Sequence, residues 1–280
     1  MTTDAWLKST TASLRAAGIE TARLDALVLL EDCLSADRAT ILAYPETELT
    51  AEHIAVLDEQ IKRRCGHEPL AYIRGKTEFY GRDFEVNKNA LEPRPESETI
   101  IEVLKKLYAA AYTGCSLPVN PVSIIDVGTG SGALAITAKL ELPMSDVTAI
   151  DIDPACVRLA QQNADRMQAE ITFLTGDLLA PLDNQRPDPV VLLCNLPYVP
   201  DTFHINQAAT REPKLAIFGG SDGLDHYRAL FKQLQQREWQ PNHIITESLP
   251  AQHAALSVLA ARYGYDVSMT DDFIQVFAAN

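Results

Sequence analysis

Residues 124–132 read IIDVGTGSG, an apolar run followed by closely spaced glycines. The apolar side chains predict a buried strand, and the glycines predict a tight loop that opens a helix. Glycine suits such a loop because the backbone must turn sharply and a ligand must approach it without meeting a Cβ. We therefore predict a cofactor-binding loop, formed by Gly128, Thr129, Gly130, Ser131 and Gly132. Residues 128–133 also satisfy G-x-G-x-x-G/A, so a nicotinamide dinucleotide site remains open at this point.

Predicted strands and helices alternate around this loop. Strands are expected at residues 122–127, 147–151, 171–175, 190–194 and 243–247. Helices are expected at residues 97–112, 133–140, 154–167, 225–236 and 251–262, with a loop at 114–121. This alternation indicates an α/β fold with a mostly parallel sheet, helices on both faces and a binding crevice at the carboxyl ends of the strands. Residues 265–269 and 273–278 are expected to close the sheet as a hairpin.

The first part of the chain has a different pattern. Apolar residues recur at helical spacing over residues 6–74, with breaks at Gly18, Pro45 and Gly66, which predicts a small helical domain. The pattern becomes strand-like over residues 79–90, which predicts a hairpin between two domains. We therefore expect a helical domain at residues 1–75, a hairpin linker at 76–92 and an α/β domain at 93–280.

Charge and composition exclude several classes of protein. The chain has 280 residues and a formal net charge of -14, and this charge argues against a direct nucleic acid partner because phosphate binding rests on Lys and Arg. The five cysteines are dispersed with no C-x-x-C pair, which favours a reducing, cytoplasmic setting. The six histidines show no metal-binding spacing, so no metal is expected. No apolar run approaches the ~18 residues of a membrane span, and the first residues lack a signal-peptide core.

One short span is rich in basic residues. Both solvated helix ends and a partner-docking surface would produce such a cluster. Its members are Lys62, Arg63, Arg64, Arg74, Lys76 and Arg82.

Three carboxylates lie at or just after the ends of later predicted strands. Asp151 ends the second strand, where a carboxylate can accept both ribose hydroxyls of a nucleoside cofactor. Asp153 directly precedes a proline and instead fits the N-cap of the next helix. Asp177, after the third strand, is a candidate acceptor for an adenine amino group, and Leu178 beside it is a candidate cofactor contact.

The fourth predicted strand delivers Asn195-Leu196-Pro197-Tyr198 to the same edge of the sheet. An amide or aniline nitrogen is a poor nucleophile because its lone pair is delocalised, so transfer to it needs acceptors that hold its N–H groups and redirect the lone pair. Asn195 Oδ1 and the Leu196 carbonyl can accept these N–H groups, and Pro197 stiffens the turn. The Tyr198 ring can pack on the flat amide and favour a nearby cation. We predict that these four residues bind the substrate and catalyse transfer, and that Asn195 also contacts the cofactor.

The same four residues resemble the [DN]-P-P-[YFW] motif of amino-methyltransferases with class I folds. Leu196 stands where the motif has its first proline, which keeps the carbonyl and removes the fixed φ. The N-L-P-Y form is also similar to that of ribosomal RNA adenine dimethyltransferases. Methylation of an RNA adenine at N6 therefore remains an alternative.

Blocks along nearly the whole chain resemble the release factor glutamine methyltransferase family (PrmC/HemK). They are E-P-L-A-Y-I at 68–73, E-F-Y-G at 78–81, P-R-P-E-S-E at 93–98, D-V-G-T-G-S-G at 126–132, N-L-P-Y at 195–198, E-P at 212–213 and G-G-S-D-G-L-D-H-Y-R at 219–228. The family form of the third block is P-R-P-E-T-E. Ribosomal protein L3 glutamine methyltransferases are relatives that usually have P-R-S-P at residues 93–96, so the sequence favours the release factor family over this alternative.

The resemblance implies an α/β class I S-adenosylmethionine-dependent methyltransferase, with a Rossmann-like seven-stranded sheet and a small N-terminal α-helical domain that helps hold the substrate. It implies S-adenosyl-L-methionine as the cofactor and a peptide chain release factor as the partner, methylated at the side-chain amide N5 of the glutamine in its G-G-Q motif. We expect a cytoplasmic monomer. Arg94 and Glu96 are expected in the wall of the substrate channel, although Arg94 could simply pair with Glu92 or Glu96.

Two further departures from the family concern the end of the chain. The motif E-x-G-x-x-Q has Leu249 in place of its glycine, and the usual G-x-x-R is missing around residues 271–277. Neither change removes a proposed methyl-transfer group. Together with Leu196 they leave a third alternative, a divergent binding protein that kept the cofactor fold without catalysis.

Overall fold

The computed structural model of the chain describes residues 1–108, 122–184 and 189–280. The predicted loop at 114–121, the last four residues of the predicted helix at 97–112 and Cys115 lie outside these ranges. The chain forms two compact units, one of Met1–Lys76 with Ile205–Arg211 and one of Thr77–His204 with Glu212–Asn280. Each unit is described by itself below.

The first unit is helical. Its helices are α1 (Thr3–Ala16), α2 (Ala22–Leu34), α3 (Arg38–Ala43), α4 (Ala51–Cys65) and α5 (Leu70–Arg74). Side-chain oxygens of Thr2, Asp37 and Thr50 accept backbone N–H groups at the starts of three of these helices, and each cap stabilises its helix by about 1 kcal/mol. A single core of apolar side chains holds the helices together, and its fully buried members include Leu14, Leu29, Leu30 and Leu57.

Ion pairs account for most of the basic span. Within the first unit, Arg64 donates to the buried carboxylate of Asp25 at 2.6 Å, and Arg63 pairs with Glu68. Asp32 accepts from both Arg74 and Lys76, and in the second unit Arg82 pairs with Glu141. A buried carboxylate left without its partner would be strongly destabilising. These side chains therefore have structural roles within their own units.

The second unit begins with a hairpin and continues as an α/β domain. The hairpin strands are β1 (Lys76–Phe79) and β2 (Arg82–Glu85), both within residues 76–92, where the sequence predicts a hairpin linker. The remaining strands are β3 (Ser123–Val127), β4 (Asp146–Asp151), β5 (Thr172–Thr175), β6 (Val190–Cys194), β7 (His243–Glu247), β8 (Tyr265–Asp271) and β9 (Ile274–Ala279). The helices are α6 (Glu98–Tyr108), α7 (Ala133–Glu141), α8 (Pro154–Met167), α9 (Asp225–Leu234) and α10 (His253–Ala261).

Seven strands form one sheet in the order β5-β4-β3-β6-β7-β9-β8. The first five strands in this order are parallel, and β9 pairs antiparallel with both β7 and β8. The predicted α/β fold, its mostly parallel sheet and its terminal hairpin are therefore confirmed. The strand order reverses between β3 and β6, and in open α/β sheets this switch point creates a crevice at the carboxyl ends of the strands.

The burial of strand β6 on both faces of the sheet explains why its sequence is a continuous apolar run. Successive side chains of a strand point to opposite faces. Val191 and Leu193 pack in the cluster that includes residues of α6 and α7, whereas Leu192 and Cys194 pack with residues of α9 and α10. Both faces of the sheet are buried, as expected for parallel strands. Within the described ranges, no helix is both long and apolar enough to cross a membrane.

Several predicted helix boundaries differ from those of the structure. Helix α9 ends at Leu234, two residues before the predicted end, because the N–H groups of Gln236 and Arg237 bond to carbonyl oxygens three residues back instead of four. The predicted helix at 251–262 is a 3-10 helix at Pro250–Gln252 followed by α10, because proline favours the first position of a helical turn. The helix predicted from residue 97 is a 3-10 helix at Pro95–Ser97 followed by α6.

Candidate active site

A cavity of about 220 Å³ lies in the second unit at the carboxyl ends of β3, β4 and β6. It is the crevice that the switch in strand order predicts. The predicted site residues that line it are Arg94, Gly128, Thr129, Gly130, Ser131, Asp151, Asp177, Leu178, Asn195, Leu196 and Pro197. Gly132, Glu96 and Tyr198 are not part of this lining, and Glu96 is exposed.

The glycines of the loop at 128–132 have separate structural reasons. All three have positive φ, +79° at Gly128, +57° at Gly130 and +83° at Gly132, a conformation that glycine adopts readily because it has no Cβ. A Cβ at Gly132 would meet Ile136 Cδ1 at 2.9 Å and Ala160 Cβ at 3.0 Å, so this glycine permits close packing of helices. A Cβ at Gly130 would meet nothing within 4 Å, which leaves room for a ligand against the backbone.

Asp151 holds the glycine loop and the start of α8 together. Its Oδ2 accepts the Gly130 N–H at 2.8 Å, and its Oδ1 accepts the Asp153 N–H at 2.9 Å. Burial raises the pKa of Asp151, and these backbone N–H groups oppose the rise. A carboxylate offers about four acceptor sites, so each oxygen keeps a lone pair for a ligand hydroxyl. Asp153 caps α8 by accepting the Ala155 N–H, as predicted.

Asp177 and Leu178 occupy the cavity wall after β5. Asp177 is exposed, and its Oδ2 accepts from Gln233 Nε2 at 3.1 Å. Leu178 has φ +51°, which an L-residue tolerates only where the surrounding structure fixes the turn. Gly176 fits closely beneath this turn, because a Cβ there would meet Pro181 Cδ at 2.8 Å.

Asn195 follows β6 and takes part in a buried chain of hydrogen bonds. Its Nδ2 donates to Ser97 Oγ at 2.8 Å, and Ser97 Oγ donates to Glu247 Oε2 at 2.6 Å. The Tyr198 hydroxyl donates to the other carboxylate oxygen, Oε1, at 3.0 Å. Burial raises the pKa of Glu247, and the hydrogen bonds from Ser97 and Tyr198 lower it. Ser97 and Glu247 are not among the site residues predicted from the sequence, although both lie in the motifs 93–98 and 247–252.

The segment at 219–224 packs closely against the backbone of the Asn195–Tyr198 turn. A Cβ at Gly219 would meet Gly223 carbonyl oxygen at 2.6 Å and overlap the Pro197 carbonyl oxygen. A Cβ at Gly223 would overlap the Tyr198 carbonyl oxygen and Gln252 Nε2. The Gln252 Nε2 also donates to the Tyr198 and Asp222 carbonyl oxygens, each at 2.7 Å. The turn therefore has a fixed backbone against which a substrate group can be placed.

Comparisons with known proteins identify the family. The model for the PrmC N-terminal domain matches residues 5–75, and the model for ribosomal protein L11 methyltransferase (PrmA) matches residues 110–196. A release factor glutamine methyltransferase of Koribacter versatilis is 40% identical over 230 residues, which cover 81% of this chain and 78% of the relative. The chain belongs to the release factor glutamine methyltransferase family. The resemblance drawn from the sequence blocks is thereby confirmed.

Other comparisons agree with this family. Release factor glutamine methyltransferases of Moorella thermoacetica and Geobacter sulfurreducens are 40% and 37% identical over 222 and 217 residues. These regions cover 78% and 76% of this chain, and 75% and 72% of the relatives. The human hMettl16 catalytic domain in complex with MAT2A 3'UTR hairpin 1 aligns with a TM-score of 0.54, 12% identity and coverage of 82% of this chain and 81% of that chain. That likeness concerns the fold alone.

The departures of this chain from the family motifs cause no visible strain. Leu249, in place of the glycine of E-x-G-x-x-Q, has φ -64° and ψ 140°, which any residue adopts. Its N–H donates to Gln252 Oε1 at 2.9 Å. Leu196 is buried, and its Cδ2 would be 3.3 Å from a Cβ at Gly128. Asp272, in the turn before β9, has φ +45°, a conformation that aspartate tolerates.

Arg94 reaches the cavity from the P-R-P-E block. It pairs with Glu92 at 3.5 Å and with the buried carboxylate of Glu212. Glu212 also accepts the Glu92 N–H at 3.3 Å. The pairing of Arg94 with Glu92 that the sequence left open is therefore present. Glu212 is a second partner of Arg94, and it was not predicted from the sequence. The E-P block at 212–213 is the sequence feature that could have indicated a role for Glu212.

Proposed function

We propose that this chain transfers a methyl group from S-adenosyl-L-methionine to the side-chain amide N5 of the glutamine in the Gly-Gly-Gln motif of peptide chain release factors. The observation that carries the proposal is the meeting of two elements in one cavity, the glycine loop after β3 and the Asn195–Tyr198 turn after β6. The first suits a nucleoside cofactor. The second presents acceptors suited to an amide. The names of the family members agree with this substrate.

The residues at β3 to β5 fit this cofactor. The open space beside Gly130 admits a ligand against the backbone, and the remaining lone pairs of Asp151 suit two ribose hydroxyls. Asp177 and Leu178 line the same cavity and suit an adenine ring with its amino group. When bound, S-adenosylmethionine supplies a methyl group that is activated by a sulfonium.

The turn at 195–198 would prepare the substrate nitrogen. Asn195 Oδ1 and the Leu196 carbonyl would accept its two N–H groups, which places the nitrogen and turns its lone pair toward the methyl group. The proton is lost after transfer, because methylation itself acidifies the nitrogen, so no general base is required. Arg94 lies in the cavity wall, where we propose that it contacts the substrate loop. Glu96 is not part of this wall, and we propose that it contacts the substrate loop at the entrance to the cavity.

Replacing Asp151 by alanine should weaken cofactor binding about tenfold or more, since hydrogen bonds to a charged group contribute about 1.5–3 kcal/mol. Calorimetry with S-adenosylmethionine and its demethylated product measures this change. Asp146→Ala is the matched control, because Asp146 is an exposed aspartate at the opposite end of the same strand. Equal affinities for Asp151→Ala and wild type would exclude Asp151 from the cofactor site. If the wild-type chain bound neither compound, the binding-protein alternative would replace methyl transfer.

A transfer assay separates this function from its alternatives. Labelled S-adenosylmethionine, the full-length chain and three acceptors are needed: an unmodified release factor, ribosomal protein L3 and ribosomal RNA. We expect label in the release factor. Label in RNA but not protein would replace the proposal by adenine N6 methylation, which the N-L-P-Y sequence allows and the net charge of -14 opposes. Label in L3 alone would move the substrate to that protein.

We further propose that the helical unit helps hold the release factor and that the enzyme works as a cytoplasmic monomer without direct nucleic acid contact. The match of residues 5–75 to the PrmC N-terminal domain supports the first part. The acidic net charge supports the last, since phosphate binding requires basic surface.

A further inference from the structure

The direction of each hydrogen bond in the chain Asn195–Ser97–Glu247 follows from the chemistry of its members. An ionised carboxylate only accepts hydrogen bonds, and a serine hydroxyl has a single hydrogen to donate. In its ionised form, which both hydrogen bonds favour against the effect of burial on its pKa, Glu247 receives the Ser97 hydroxyl on one oxygen and the Tyr198 hydroxyl on the other. The hydrogen of Ser97 is thereby committed to Glu247, so Ser97 Oγ can offer only lone pairs to Asn195.

This commitment decides which end of the Asn195 amide faces Ser97. Only the NH2 group can donate to a lone pair, so Nδ2 points toward Ser97 at 2.8 Å. The Oδ1 atom, on the other branch of the amide, is directed away from Ser97. Asparagine orientation is assigned from the surrounding hydrogen bonds in any structure without visible hydrogens, and here the carboxylate determines the assignment.

The surroundings make this arrangement rigid. Ser97 and Glu247 are 2% and 1% exposed, and a buried polar group without a hydrogen-bond partner costs about 1–3 kcal/mol. Ser97 closes a 3-10 helix before α6, and Glu247 ends β7. Tyr227 fixes the backbone there, because its hydroxyl donates to the Glu247 carbonyl oxygen at 2.5 Å and lies 3.0 Å from the Cys194 carbonyl oxygen.

We propose that Ser97 and Glu247 are positioning residues that hold the Asn195 amide with Oδ1 available to accept an N–H group of the substrate. This inference rests on the proposed function, in which Asn195 Oδ1 binds the substrate amide. Without the Ser97 hydroxyl, the Asn195 amide is free to rotate, and its NH2 group would then face the NH2 group of the substrate.

The test compares three variants of the full-length chain. Ser97→Ala should lower kcat for release factor methylation about tenfold, the effect of about one well-placed hydrogen bond, with the cofactor Kd within about twofold of wild type. Ser97→Thr should restore kcat to within about threefold. Ser123→Ala is the matched control, because Ser123 is equally buried and its hydroxyl has no hydrogen-bond partner among the described residues. It should leave kcat and Kd unchanged.

A second readout does not depend on turnover. In protein with isotope-labelled asparagine, the side-chain NH2 signal of Asn195, assigned by its loss in Asn195→Ser, should shift and exchange faster in Ser97→Ala and not in Ser97→Thr or Ser123→Ala. If wild type transfers no methyl group but this signal responds, the proposed function fails and the positioning stands. An unchanged signal in Ser97→Ala, or a wild-type kcat for that variant, overturns the inference. Equal losses in Ser97→Ala and Ser97→Thr overturn it as well.

Discussion

Replacing Asn195 by alanine is expected to lower the methylation rate about a hundredfold or more at saturating cofactor, by analogy with removal of one positioned polar group from a transition-state site. Asn195 lines the cavity, and in the proposed function its Oδ1 is the side-chain acceptor for one substrate N–H group. The Leu196 carbonyl alone would leave one substrate N–H group unheld. The rate is measured as single-turnover methyl transfer to an unmodified release factor.

Two controls make this result specific. Asn184→Ala removes an exposed asparagine of the same unit and should keep the wild-type rate. The melting temperature of Asn195→Ala should be compared with wild type, because Asn195 also donates to Ser97. Turnover of Asn195→Ala near the wild-type value in a folded protein would mean that the amide is held by other groups.

Replacing Gly223 by alanine is expected to lower the free energy of unfolding by about 3 kcal/mol or more, the combined scale of backbone strain and overpacking. Gly223 has φ +77°, and a Cβ would overlap the Tyr198 carbonyl oxygen and the Gln252 side chain. The backbone behind the active-site turn cannot yield without moving Tyr198. Denaturant unfolding measures the stability, and the methylation rate of the folded fraction should fall as well.

Gly264→Ala separates the two contributions to this loss. Gly264 has a similar φ of +83°, but a Cβ there would meet nothing within 4 Å. Only the strain of the left-handed backbone remains, which costs about 1–2 kcal/mol. Should both variants lose the same stability and keep the same activity, the close contact between Gly223 and the active-site turn would have no energetic role.

Local sequence patterns predicted the features that depend on neighbouring residues. The glycines at 128, 130 and 132 adopt the positive φ that a tight ligand loop requires. The apolar run at Val190–Cys194 forms a strand buried on both faces, and Asp153 caps the following helix. In each case the residue type and its immediate neighbours restrict the backbone, so one sequence is sufficient.

The parts that sequence analysis missed depend on contacts between distant residues. Ser97 is 98 positions from Asn195 and 150 from Glu247, and only the parallel sheet places the ends of β6 and β7 beside the start of α6. Glu212 likewise meets Arg94 across 118 positions. The resemblance to family motifs identified all these segments, but it did not indicate which of their side chains form hydrogen bonds or ion pairs with each other. The loss of glycine at Leu249 does not require an unusual backbone conformation, because the backbone there is extended.

The central claim is tested most directly by mass spectrometry of an unmodified release factor after incubation with the full-length chain and S-adenosylmethionine. The account predicts one added methyl group on the peptide that contains Gly-Gly-Gln, located at the glutamine side chain and nearly absent with Asn195→Ala. An unmodified glutamine, in the presence of folded enzyme with bound cofactor, would contradict it.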